Sequence, residues 1–159
     1  MINNIKKDLY RYGLKISFFG FLRGWFIPGF KYFVIIRLLQ GINRHSILRL
    51  PLVLLKRRYM FKYGFQISDR TVIGHGFFLG HFGNVVINPD VKIGNNCNIS
   101  HGVTIGKTNR GKLKGSPTLN DLVWVGTNSV IVGNITIGSN VLIAPNSYIN
   151  FSIPNNSIV

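Results

Sequence analysis

The sequence predicts a mainly β protein, in which a coiled, parallel β-prism over residues 65–159 follows a basic α-helical region over residues 1–64. Three observations carry that expectation. An aliphatic residue recurs every six positions from Ile67 onward, apolar residues before it recur at helical spacing, and charge is crowded into the first part of the chain. Nineteen Lys and Arg face four Asp and no Glu, a formal +15 in 159 residues, and only Asp8 opposes the thirteen cations within 1–65. Such an imbalance marks a basic appendage on a nearly neutral body, and basic appendages meet nucleic acid, anionic lipid or acidic polymers.

Taken in order, Ile2, Ile5, Leu9 and Tyr12 share one helix face, with Lys6, Lys7 and Arg11 off it. The stretch ISFFGFLRGWFIPGFKYFVIIRLLQ is dense in aromatics, and its glycines and Pro28 divide it into short pieces. A further helix is expected over 46–63, with Pro51 tolerated near its first turn. Phe, Trp, Leu and Ile interleaved with Arg and Lys match a helix lying in a membrane interface better than a nucleic-acid surface. Arg23, Lys31 and Arg37 interrupt 16–39, so no uncharged run reaches the roughly 18–20 residues of a spanning helix. No signal-peptide pattern is seen, and the lone Cys97 falls at an inward position and forms no intrachain disulfide. The expectation is a cytoplasmic protein held at the inner face of a membrane through residues 1–64, without nucleic acid.

From Ile67 the period is six: Ile67, Ile73, Leu79, Ile87, Ile93, Ile99, Ile105, Leu119, Val125, Ile131, Ile137, Ile143 and Ile149. Each hexad makes a short strand and a turn, and three hexads close one triangular coil. One aliphatic per hexad then points inward and stacks on its neighbours above and below, each contributing roughly 1.5–3 kcal/mol. Asn95, Asn96, Gly102, Asn128, Asn140 and Asn146 suit corners that require positive φ. The rhythm breaks twice. Two extra residues separate Leu79 from Ile87, immediately after His81, and the step from Ile105 to Leu119, which contains KTNRGKLKGSPT, is eight residues too long.

Counting on the coil places His81 and His101 at equivalent corners, one coil apart. A two-residue bulge re-aims a side chain, as bulges do beside active sites. Histidine, with a pKa near neutral, suits a general base. The two histidines and the long basic loop are expected to converge on one prism edge. GKTNRGK nearly spells a P-loop, but Leu113 stands where Ser or Thr would bind magnesium. A zinc site from His75, His81 and His101 lacks ligand spacing and a carboxylate partner, and no metal is expected.

Phrases such as VKIGNNCNISHGVTIG and VGNITIGSNVLIAPNS resemble the hexapeptide-repeat, left-handed β-helix acyltransferases. From FKYFVIIRLLQ onward, over roughly 28–159, the chain resembles their serine acetyltransferase branch, most of all the short members acting on surface polysaccharides. The resemblance implies acetyl-CoA as donor, His81 as the base that deprotonates an acceptor hydroxyl, and His101 as its helper. It implies a homotrimer with sites shared between subunits. Gly106, Thr127 and Pro145 would then follow the pantetheine arm, while Lys107, Arg110 and Lys112 meet the phosphates. Gln66, Asn84 and Ser116 fall on the acceptor side.

Serine acetyltransferases carry Asp where this chain has Gly80 and Gln66, and Arg-His where it has Gly115 and Ser116. A zwitterionic acceptor wants charged partners. The expected acceptor is therefore a sugar hydroxyl of a polysaccharide or its lipid-linked precursor. Serine O-acetylation, or a non-catalytic membrane-associated trimeric scaffold, are the alternatives.

Overall fold

The computed structural model describes residues 1–159. Four helices precede the prism: α1 (Ile2–Arg11), α2 (Phe18–Trp25), α3 (Pro28–Gly41) and α4 (Arg49–Tyr63). Their limits follow local chemistry. The Ser17 hydroxyl caps α2 by accepting from Gly20 N at 3.1 Å, Pro28 opens α3 at its first turn, and α4 ends on Gly64 at φ +76°. The helix expected from residue 46 starts three residues later, after the turn at Ser46.

Thirteen short strands wind the prism. The first coil holds β1 (Phe65–Ile67), β2 (Val72–Ile73) and β3 (Phe78–Leu79). The second holds β4 (Val85–Ile87), β5 (Lys92–Ile93) and β6 (Asn98–Ile99), and the third β7 (Thr104–Gly106), β8 (Thr118–Leu119) and β9 (Trp124–Val125). The fourth holds β10 (Val130–Val132), β11 (Thr136–Ile137) and β12 (Leu142–Ile143), and β13 (Tyr148–Ile149) opens a fifth. All pairings between these strands are parallel and stack them into three faces. The first contains β1, β4, β7, β10 and β13, the second β2, β5, β8 and β11, and the third β3, β6, β9 and β12.

Every aliphatic of the six-residue series lies in a strand and is buried, in register with its counterpart one coil away. Cys97 joins this core, fully buried, and burial pushes its thiol pKa up to about 11. Asn96, Asn128, Asn140, Asn146 and Gly102 take positive φ at corners as expected. Asn95 does not; its amide instead bonds Asp121.

The helices close the open end of the prism. The first coil has no coil before it, so its outer N–H and C=O groups need other partners. Tyr32 donates to Ile67 O at 3.0 Å, Gln40 to Thr71 O at 3.1 Å, and Arg37 to Ile73 O at 2.7 Å. Asp8 accepts from Phe77 N at 3.1 Å, and the Tyr12 hydroxyl donates to Leu79 O and accepts from Leu79 N. Burial pushes the Tyr32 phenol up to about 12 and raises that of Tyr12 further. Asp8 and Arg37 pair at 3.0 Å in the interior between helices and coil. The basic region is thus an end cap on the prism.

Candidate active site

Leu79 and Ile99 are register partners on the third face, so His81 and His101 follow at the same corner in successive coils. Their rings stand 5.8 Å apart, centre to centre, at 89°. Both side chains are exposed, on the edge joining the third face to the first. Thr127 and Pro145, each two residues beyond a third-face aliphatic, continue the same edge one and two coils further on. His101 O accepts from Asn128 N at 3.1 Å and Thr127 O from Asn146 N at 2.8 Å, which stacks the corners into a column.

The two extra residues form the bulge beside His81, and the end of α4 holds it. Gly83 N donates to Tyr63 O at 2.9 Å and Val85 N to Gly64 O at 3.0 Å. Gly83 is at φ +140°, and a Cβ there would lie 3.1 Å from the Cβ of His101. A side chain at this position would push on the second histidine. Asn84 lies in the bulge, next to Gly64. Gln66 sits one residue in from this edge on the first face, in register with Val86.

The loop after Ile105 leaves from elsewhere. Ile105 belongs to the first face and Leu119 to the second, so Gly106, Lys107, Arg110, Lys112 and Ser116 lie at the edge between those two faces. The expectation that loop and histidines converge on one edge of one chain is therefore corrected: a whole face separates them. The count of three hexads per coil carries the same answer, since Leu79 is the third aliphatic of the series and Ile105 the seventh, which opens a new coil on the first face. Thr108 and Gly115 bridge the loop's base, Lys107 pairs with Asp90 at 2.9 Å, and Ser116 Oγ donates to Asn88 Oδ1 at 3.4 Å. The Lys107 ammonium holds the exposed Asp90 carboxyl below its ordinary range. His75 follows Ile73 at the edge between the second and third faces, apart from the other two histidines, so the three do not cluster.

Two residues that sequence reasoning did not single out shape the site. Phe78 leans over Gly80, where an added Cβ would come 2.8 Å from its ring. The Tyr12 ring packs at a tilt on Phe78, 4.5 Å centre to centre, while its hydroxyl braces Leu79, two residues before His81. Neither contact leaves a local signal, because 66 and 67 residues separate the partners.

A family profile described as bacterial transferase hexapeptide (six repeats) matches residues 67–107 and 116–150, flanking the loop. The chain is 34% identical over 134 residues to a serine acetyltransferase of Helicobacter pylori, covering 77% of this chain and 78% of that one. It is 31% identical over 140 residues to the serine acetyltransferase of Bacillus subtilis, covering 81% of this chain and 64% of that one. Among solved structures, it superimposes on the Neisseria gonorrhoeae serine acetyltransferase in complex with serine, with a TM-score of 0.80 and 27% identity, over 99% of this chain and 65% of that one. Serine acetyltransferase isoform 3 of Entamoeba histolytica, in complex with cysteine, matches with a TM-score of 0.79 and 30% identity, over 99% of this chain and 56% of that one. The chain thus spans more than half, but under two thirds, of these solved proteins.

The names of these relatives overturn the sugar-hydroxyl expectation and the glycan partner with it. That expectation rested on the charges missing at Gly80, Gln66, Gly115 and Ser116. The loop cations lie on another edge of the prism, so the charges beside His81 are only part of what the chain carries. The prism is the left-handed β-helix of those structures, and the chain belongs to the hexapeptide-repeat acyltransferases, in their serine acetyltransferase-like branch.

Proposed function

We propose that the chain transfers the acetyl group of acetyl-CoA to the hydroxyl of L-serine, with His81 as general base. The observation that carries this reading is the bulge that presents His81 beside His101, in a chain whose relatives are named for that reaction. His81 takes the hydroxyl proton as the serine oxygen attacks the thioester carbon. Collapse of the tetrahedral intermediate expels the CoA sulfur, which takes the proton back from the imidazolium. Backbone N–H groups at the corner suit the oxyanion. Acetyl-CoA is the donor, and no step calls on a metal.

The assembly belongs to the proposal. Because the histidines and the loop occupy different edges, the chain completes its site as a parallel trimer, in which the loop of one copy reaches the histidine edge of the next. Lys107, Arg110 and Lys112 then meet the CoA phosphates, and Gly106, Thr127 and Pro145 follow the pantetheine arm. Gln66, Asn84 and Ser116 stand on the acceptor side. The protein works in the cytoplasm, where acetyl-CoA is made, and its basic cap touches an anionic membrane surface.

Thiol release from acetyl-CoA on adding L-serine tests the reading. Serine-dependent release by the full chain, lost in His81→Ala, is the expected result. No release with serine, or equal release by the variant, overturns it.

A further inference from the structure

Helix α2 is built inside out. A surface helix normally turns its large apolar side chains inward. In α2 the buried positions are Gly20 and Gly24, one turn apart, while Phe18, Phe19 and Leu22 point outward, followed by Phe26 at the C-cap. A Cβ on Gly24 would lie 2.8 Å from Leu9 of α1 and from Phe30 of α3, so α2 seats closely there, with Phe21 and the half-buried Trp25 as its inward side chains. Phe18, Phe19 and Phe26 are 73%, 75% and 79% exposed. Beside them an open groove of about 420 Å³, walled by Ile2, Ile5, Leu9, Ile16 and Phe21, has Lys6 among its lining residues.

No single helix is long and apolar enough to cross a membrane. Helix α3 turns 107° away from α2 and buries its own apolar residues in the cap, and eight residues reach only about 12 Å of a hydrocarbon core of ~30 Å. The apolar face therefore lies along a surface.

Charge decides which surface. Lys6, Lys7, Lys15 and Arg23 are exposed around this face, and Asp8, the only acid in α1 and α2, is buried against Arg37. A second copy would set these cations against themselves. An apolar surface carrying dense negative charge is what remains. We propose that the α1–α2 face docks on an anionic phospholipid bilayer. Phe18, Phe19, Leu22 and Phe26 enter the boundary between headgroups and acyl chains, and the four cations pair with lipid phosphates. The assignment rests on the membrane contact proposed above and names the residues that make it. In a parallel trimer three such caps face the same way, and their contacts add by avidity.

Co-sedimentation with vesicles tests it. The full chain is expected on vesicles of equal parts phosphatidylcholine and phosphatidylglycerol, absent from phosphatidylcholine alone, and released by salt. The triple variant Phe18→Ser, Phe19→Ser, Phe26→Ser, with serine-dependent thiol release intact, should partition about tenfold less or worse. In a Trp124→Phe protein, Trp25 of α2 reports separately, its emission moving to the blue on the mixed vesicles. A wild-type chain that ignores the mixed vesicles overturns the membrane contact altogether. Wild-type binding that the triple variant retains, or a Trp25 emission that stays in place, leaves that contact standing and overturns its assignment to α2. Equal binding to neutral vesicles overturns the role given to charge.

Discussion

At the scale of single residues, the exposed His81 is replaceable without touching the core. His81→Ala should lower kcat by about 10²–10⁴-fold, the usual worth of a positioned base, while the melting temperature stays put. Gln66 stands near the same edge as a neutral side chain, where the resemblance to serine acetyltransferases implies a carboxylate. Gln66→Asp should therefore lower KM for L-serine, and an unchanged or higher KM would count against serine as acceptor. Leu122 holds φ +60°, which elsewhere on the corners falls to Asn128 and Asn146. Leu122→Asn should raise stability by about 1 kcal/mol in a urea titration, because asparagine tolerates that conformation. Cys97 gives a clear sign test. Its folded-state pKa is raised, so burial favours the neutral thiol, and the associated stability is present below the unfolded value and lost as pH climbs towards about 11. A thiol reagent at neutral pH should leave it alone until the protein unfolds. That His81 and His101 share a corner beside a bulge was legible because an insertion in a strict period is visible in one dimension. Phe78 over Gly80 was not, since its position depends on Tyr12 arriving from another element.

At the scale of elements, the cap hangs on a few side chains that reach backbone. Asp8 and Arg37, buried together, tie α1 to α3, and both also bond the first coil. Asp8→Ala leaves a buried guanidinium without its partner and should cost about 3–5 kcal/mol, whereas Asp8→Ala with Arg37→Met should cost less. Helix α4 is held differently. Asp69, in the turn after β1, accepts from Lys56 and Arg49. Partial burial pushes its pKa up, but these two cations outweigh burial and hold the carboxyl below its ordinary range. Its contribution is thus present above the usual carboxylate pKa and fades as pH falls through the lowered folded value. The thirteen strands were readable because each needs one aliphatic in six, whatever lies around it. The helical character of 1–64, and roughly where α1 and α4 lie, was readable for a similar local reason. That the helices satisfy the first coil was not, because the bonds join residues such as Tyr12 and Leu79 through side chains whose types suit many other roles.

At the scale of the whole molecule, the histidine edge and the loop edge are separated by a face, and a shared site follows only if copies pack side by side. Co-refolding His81→Ala with Arg110→Ala/Lys112→Ala should restore about a quarter of the sites, those with both parts intact, although each variant alone is inactive. No restoration would place the whole site within one chain. The end cap carries a consequence for assembly of another kind. A parallel β coil whose rim groups are free is a template for the next one, spaced about 4.8 Å away, and nothing in the rim distinguishes a coil of the same chain from a coil of another. With Tyr12, Tyr32, Arg37 and Asp8 in place, growth in that direction is blocked. Without them, prisms would be free to stack head to tail into filaments, so the same side chains that finish the fold also keep it finite.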